Sequence, residues 1–190
     1  MGASRIANVS AAVLVGSGQG AAPTPKQGLT RARGSAALAD LVTALFDDTL
    51  QVGDSPNDRA IGRFVSVVGA QRDSVVSVAA AIEAARSERV IVFAEEERLV
   101  GAELLLALVA WPEHAAVWVV EGERLFPVCA IYRREDLLAS ARSVLANPSA
   151  PISFETFLSR LEVERVTLAR LGLDSGPHPL FAGREWREAC

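Results

Sequence analysis

Apolar residues follow two patterns along the chain, and each pattern is typical of one kind of element. Short continuous runs predict buried β-strands. The clearest is 90–94, VIVFA, which is rich in β-branched residues, as expected where both faces of a sheet are covered. Longer segments with apolar residues three or four positions apart predict amphipathic helices. The segment 35–45 has such a stripe, with Ser35 as a candidate N-cap.

The two patterns alternate along the chain. Strands are predicted at 11–15, 49–52, 64–68, 90–94, 116–120, 128–132 and 163–168, and helices at 35–45, 74–85, 103–110, 134–145 and 152–161. This alternation predicts one α/β domain over 1–190, a three-layer α/β/α sandwich with a mostly parallel sheet. Ligands of such folds bind beyond the carboxyl ends of the strands, so we expect the segments after Val15 and Ala94 to lie at the same edge.

Composition and charge narrow the classes of function. The 190 residues are 50% hydrophobic with a formal net charge of −4, so we do not expect a general nucleic-acid binder. No apolar run approaches the length of about 18 residues that a membrane span needs. Cys129 lies in an apolar run with no histidine nearby, which favours a small buried hydrophobe over a nucleophile.

The charge is uneven, because residues 1–34 contain four basic residues and no acid. The segment from Gly16 to Lys26 is rich in small residues, which let a backbone approach phosphates closely, and its lysine would add a positive charge. Two other interpretations stay open. The segment also fits a glycine- and proline-rich loop without a ligand, and Arg5 with the apolar run 11–15 also fits a secretory signal.

Three acids, Glu95, Glu96 and Glu97, directly follow the predicted strand 90–94. A carboxylate there is well placed to hold Mg²⁺ against the phosphates of a nucleotide. The sequence does not fix which of the three faces such a site, and a solvated acidic turn is the alternative interpretation.

These features, in this order, resemble the molybdenum cofactor guanylyltransferase family and the wider MobA-like NTP transferases. That family begins with a strand running into Leu-Ala-Gly-Gly and continues to Asp-Lys, and here Leu14-Val15-Gly16-Ser17 leads to Pro25-Lys26. Glu96 falls on the family's magnesium-binding aspartate, and 126–133, FPVCAIYR, looks like its Pro-Leu-x-Ala-Leu-Tyr-Arg stretch. The resemblance covers roughly 9–170 and leaves 171–190 as a tail.

The resemblance implies a Rossmann-like fold of the nucleotide-diphospho-sugar transferase type and transfer of GMP from GTP to molybdopterin, with Mg²⁺. It also implies a cytoplasmic protein and allows a protein partner in molybdoenzyme maturation. From the net charge and the short apolar runs, we expect neither a nucleic acid nor a membrane as partner. In the roles it implies, Lys26 neutralises phosphate charge and Glu96 carries the metal. The groups implied for nucleotide binding are the backbone amides of Leu14, Val15 and Gly16 and the side chain of Lys26.

The chain departs from the family at phosphate-facing positions. Ala21 stands where the family has the loop arginine, Pro23 replaces a glycine, and Pro25 replaces the aspartate before the lysine. Glu96 is one methylene longer than aspartate, and Arg98 replaces a proline. Two functions therefore stay open: a working guanylyltransferase, or an impaired MobA-like module that binds a nucleotide or pterin and acts through a partner protein.

Overall fold

The computed structural model describes residues 5–15, 38–54, 56, 61–67, 74–94, 101–112, 116–121, 124–148, 150, 152–159, 161–167 and 169–173. In that part of the chain the strands are β1 (Ile6–Leu14), β2 (Phe46–Gly53), β3 (Arg63–Ser66), β4 (Arg89–Ala94), β5 (Ala116–Glu121), β6 (Arg124–Arg133) and β7 (Val163–Thr167). The helices are α1 (38–45), α2 (Ser74–Ala84), α3 (Ala102–Ala110), α4 (Arg134–Ala146) and α5 (Phe154–Leu158).

The strands form one sheet in the order β3-β2-β1-β4-β6-β5-β7. Neighbouring strands are parallel except at β6, which runs antiparallel to β4 on one side and to β5 on the other. The prediction of a mostly parallel sheet is therefore confirmed. Among the described residues, no helix combines the length and hydrophobicity that crossing a membrane requires.

Helices cover both faces of the sheet. Successive strand side chains point to opposite faces, so β1 places Leu14 in the core under α2, α4 and α5, and Val13 in the core under α1 and α3. In β4, Val92 and Phe93 divide in the same way, and all four side chains are buried. This burial on both faces explains the continuously apolar run of β4, and it confirms the predicted three-layer sandwich.

Some elements differ from their predicted bounds. Strand β1 begins at Ile6 rather than at 11, because pairing extends beyond the apolar run. Val9 pairs with Arg89 of β4, and Ile6 pairs with Phe46 of β2 on the far side of a register shift. Strand β6 begins at Arg124 rather than at 128, and α5 ends at Leu158 rather than at 161. The predicted first turn of α1, residues 35–37, lies outside the described residues.

A part-buried polar cluster lies at the amino ends of β3 and β4. The Asp48 carboxylate accepts a hydrogen bond from the Ser10 hydroxyl at 2.6 Å and one from the Arg63 guanidinium at 2.9 Å. The N–H of Arg86, in the turn after α2, donates to the same carboxylate at 3.1 Å. Burial alone would raise the pKa of Asp48, but these hydrogen bonds and the charge of Arg63 outweigh it and hold the pKa below its usual value of 3.8.

Arginine side chains bind the carboxyl ends of α2 and α3 at this same edge of the sheet. Arg89, the first residue of β4, donates to the carbonyl oxygens of Val109 at 2.8 Å and Trp111 at 3.3 Å, at the end of α3. Arg134 donates to the Ile82 carbonyl oxygen near the end of α2 at 3.1 Å. Such cations stabilise a helix at its carboxyl end. Because α2 and α3 both end at this edge, they begin toward the opposite edge, where the parallel strands end.

Candidate functional site

The carboxyl ends of β1 and β4 lie side by side. Leu14, the last residue of β1, pairs with Ala94, the last residue of β4, and on its other side with Val52 of β2. The expectation that the chain leaves β1 and β4 at one edge is thus confirmed. Strand order reverses between these two strands, because the chain continues from β1 to β2 on one side and from β4 toward β5 on the other. In open α/β sheets, ligands bind at such a reversal point.

Val15, which follows β1 and is called its exit below, is held against β2. The Val15 N–H donates to the Val52 carbonyl oxygen at 2.8 Å. The next residue of β2, Gly53, is buried and has the Val15 carbonyl oxygen close to where a Cβ would lie. The Gly53 carbonyl oxygen accepts the Val67 N–H at 3.0 Å, which extends the contact to the end of β3. Three strand ends are therefore fixed relative to one another where the chain leaves the sheet.

Two helices direct their amino ends to this edge. Because α2 and α3 both end at the opposite edge, the N–H groups of their first turns, which carry partial positive charge, lie on the side where β1 and β4 end. Gly101 precedes α3 and supplies no side-chain cap, while Glu103 places a negative charge in its first turn. An anion such as a phosphate group is the ligand that helix amino ends favour.

The structure places two of the predicted site residues, Leu14 and Val15, at this edge. Gly16, Lys26 and Glu96 lie outside the described residues, as do the other acids of the 95–97 run. The Leu14 side chain is fully buried in the core under α2, so the binding role predicted for Leu14 would fall to its backbone. The Val15 N–H is engaged by β2, so a binding role for Val15 cannot rest on that donor.

Metal-binding side chains are not clustered in the described part of the chain, which holds no group of three His, Cys, Asp or Glu placed to bind an ion. Cys129 is 5% exposed in the core under α1 and α3, which confirms the expectation of a buried residue.

One polar side chain that sequence reasoning missed is buried near the edge. Gln51 is 1% exposed and lies on β2 beside Val13 of β1. Its Nε2 has no acceptor among the described residues, and leaving a buried amide unpaired costs about 1–3 kcal/mol. A glutamine between the apolar residues Leu50 and Val52 is the signal that could have identified it.

No protein-family model and no curated protein matches the chain. Among solved structures, it is similar to the protein Aq1419 of Aquifex aeolicus VF5, with 15% identity over 88% of this chain and 92% of that one and a TM-score of 0.66. It is similar to the 4-diphosphocytidyl-2C-methyl-D-erythritol synthase of Anaerococcus prevotii, with 14% identity over 84% and 88% of the two chains and a TM-score of 0.52. It is also similar to the 2-C-methyl-D-erythritol 4-phosphate cytidylyltransferase of Thermus thermophilus, with 14% identity over 90% and 95% and a TM-score of 0.51.

At these identities the likeness establishes the fold, and a fold alone does not assign a reaction. The Rossmann-like fold that the sequence resemblance implies is confirmed, whereas a guanylyltransferase of molybdenum cofactor synthesis stays a prediction. The chain thus has a Rossmann-like α/β sandwich fold similar to the folds of these enzymes.

Proposed function

We propose that the chain binds a nucleoside triphosphate at the carboxyl edge of β1 and β4 and transfers its nucleotidyl group to a phosphorylated acceptor. The observation that supports this most is the pairing of Leu14 with Ala94 where the strand order reverses. The amino ends of α2 and α3 add partial positive charge on the same side, which suits phosphates. The Thermus thermophilus protein of similar fold is, by its name, a cytidylyltransferase for a 4-phosphate.

The reaction would be an in-line displacement at the α-phosphorus. A phosphate oxygen of the acceptor forms the new P–O bond, the bond to the β-phosphate breaks, and pyrophosphate leaves with the electron pair. The part of the protein is positioning and charge neutralisation rather than covalent catalysis. In the finer form that the sequence resemblance suggests, GTP donates GMP to the phosphate of molybdopterin in the cytoplasm.

In this proposal, residues that follow β1 and β4 in the sequence bind the phosphates and the metal ion. Lys26 would neutralise phosphate charge, and backbone N–H groups from Gly16 onward would bind the nucleotide, because the Val15 N–H is already engaged by Val52. Glu96 would hold Mg²⁺, since this ion prefers oxygen ligands and commonly binds through one or two carboxylates and the phosphates of a substrate. When bound, the ion would supply further charge neutralisation.

A second function is favoured by the departures at phosphate-facing positions. Ala21 lacks the guanidinium that the resembling family carries in this loop. Pro23 and Pro25 have no backbone N–H, so neither can donate to a phosphate. In this second form, the chain binds a nucleotide or pterin without turnover and acts through a partner protein.

Lys26 is the only lysine in the sequence, which allows its surroundings to be probed chemically. An N-hydroxysuccinimide ester of acetic acid would modify Lys26 and the terminal amine, and peptide mass spectrometry would quantify each. We expect GTP with Mg²⁺ at ten times its Kd to slow acetylation of Lys26 about tenfold, because the site is then about 90% occupied. The terminal amine is the internal control. Unchanged acetylation of Lys26 with millimolar GTP, CTP and ATP would contradict the transferase and the nucleotide-binding form of the second function.

Turnover separates the two functions. With GTP, Mg²⁺ and molybdopterin, a working transferase forms the dinucleotide and pyrophosphate. Lys26→Ala is then expected to lower the rate at least about tenfold, or about 1.4 kcal/mol, and Lys26→Arg to retain more of it because the charge is kept. Protection of Lys26 by nucleotide without any product would indicate the binding module.

A further inference from the structure

We propose that Gly53 is a positioning residue whose missing side chain fixes the exit of β1 in the form that binds nucleotide. The inference rests on the proposed function, since it concerns the same edge of the sheet. It adds a residue of β2 that is not part of the sequence motifs described above, and it says which contact fixes Val15, the last described residue before the proposed phosphate-binding segment.

Space is the reason for a glycine at this position. An ideal Cβ on Gly53 would lie 2.7 Å from the Val15 carbonyl oxygen and 3.1 Å from the Val15 Cβ. Real Cβ atoms essentially never come within 3.0 Å of another heavy atom, and the closer of these two contacts is with backbone. Backbone conformation is not the reason, because the described glycines with positive φ are Gly62 and Gly172.

Val15 is the residue that a methyl group on Gly53 would displace. Gly53 is anchored on its other side, because it pairs with Ser66 of β3 and its carbonyl oxygen accepts the Val67 N–H at 3.0 Å. Val15 is the last described residue before the chain leaves the sheet, and its N–H holds it to Val52. Added bulk would therefore act on the start of the proposed phosphate-binding segment.

The contact also completes the hold of β2 on Val15. The Val15 N–H donates to the Val52 carbonyl oxygen at 2.8 Å, and the Val15 carbonyl oxygen is packed against Gly53. Both backbone polar groups of Val15 therefore face β2, so a methyl group on Gly53 would disturb the residue from which the proposed phosphate-binding segment starts.

Gly53→Ala tests the inference, with Ser66→Ala as the matched control. Ser66 of β3 pairs with Gly53 and is exposed, so this substitution changes a neighbouring strand end without placing an atom against Val15. Ile82→Val, in the core near the other end of α2, controls for stability, since such a truncation typically costs about 0.5–1.5 kcal/mol. The readouts are the Kd for GTP with Mg²⁺ by calorimetry and the protection of Lys26 from acetylation.

We expect Gly53→Ala to raise the Kd at least about tenfold, while both controls stay within about twofold. Wild-type affinity in Gly53→Ala, or an equal loss in Ile82→Val, would overturn the inference and leave the proposed function intact. A wild-type chain that nucleotide does not protect would overturn both. If Gly53→Ala does not fold, Val15→Gly loosens the same exit without adding bulk. We expect the same loss there, and unchanged affinity would overturn the inference.

Discussion

Asp48 accepts the hydrogen bonds of the polar cluster at the amino ends of β3 and β4. Replacing it therefore tests how much this cluster stabilises the fold. The Ser10 hydroxyl donates to it at 2.6 Å, the Arg63 guanidinium at 2.9 Å, and the Arg86 N–H at 3.1 Å. The side chain of Asp48 is 13% exposed and that of Arg63 is 36% exposed. Asp48→Asn keeps the shape of the side chain and removes its charge.

The size of the effect follows from the kinds of contact. Hydrogen bonds to a charged group are worth about 1.5–3 kcal/mol and neutral ones about 1 kcal/mol, so each bond that loses its charge is weakened by about 1 kcal/mol. An asparagine amide also presents its own N–H groups, which leaves one of the three donors without an acceptor. Solvent screens the ion pair with Arg63 and reduces its share. We therefore expect the free energy of unfolding to fall by about 2–4 kcal/mol.

Urea unfolding followed by tryptophan fluorescence measures this loss, and pH separates the charge from the packing. The pKa of Asp48 in the folded chain lies below its usual 3.8, so the carboxylate stabilises the fold fully above that value. Its effect is lost as the pH falls from there through the lower pKa of the folded state. The difference in unfolding free energy between wild type and Asp48→Asn should stay constant from about pH 7 to about pH 5 and shrink below about pH 4.

Asp47→Asn is the matched control for this experiment. Asp47 is the preceding residue of β2 and is exposed, so its substitution should change the unfolding free energy by less than about 0.5 kcal/mol. A loss below about 1 kcal/mol for Asp48→Asn would refute the reasoning. So would a difference from wild type that stays the same at every pH.

Two further substitutions test polar side-chain groups by urea unfolding. Gln51→Leu removes an amide whose Nε2 has no acceptor among the described residues, so the unfolding free energy should rise by about 1–3 kcal/mol. A fall would mean that this amide has a partner in the working protein. Trp111→Phe removes the indole hydrogen bond to Glu164 at 2.9 Å and weakens the stacking of Arg170, 5.3 Å from the ring centroid. The expected loss is about 1–2 kcal/mol, and a variant as stable as the wild type would contradict it.

The buried strands could be predicted because they are apolar on both faces, but their direction and their polar ends could not. The run 128–132 identifies β6 as buried, yet nothing in it distinguishes an antiparallel strand from a parallel one. Ser10 is fully buried because its hydroxyl meets Asp48, 38 positions later in the chain. The sequence around Ser10 gives no sign of so distant a partner, so the predicted strand began at 11 rather than at Ile6.

The edge that carries the candidate site could be predicted from a general rule, because strands that end together in a parallel sheet place their following segments together. Gly53 could not be predicted in this way. Its need for a hydrogen in place of a side chain comes from Val15, in another strand, and exists only after β1 and β2 have paired. The roles of Gly16, Lys26 and Glu96 stay predictions.

The position of β6 constrains the order in which the sheet can form during synthesis. Strands β1 to β4 pair with one another and lie within the first 94 residues. Strand β5 cannot bond to β4, because β6 lies between them, and its partners β6 and β7 both come later in the chain. We therefore expect the first four strands to assemble early on the ribosome, while β5 stays unpaired until Arg133 has been synthesised.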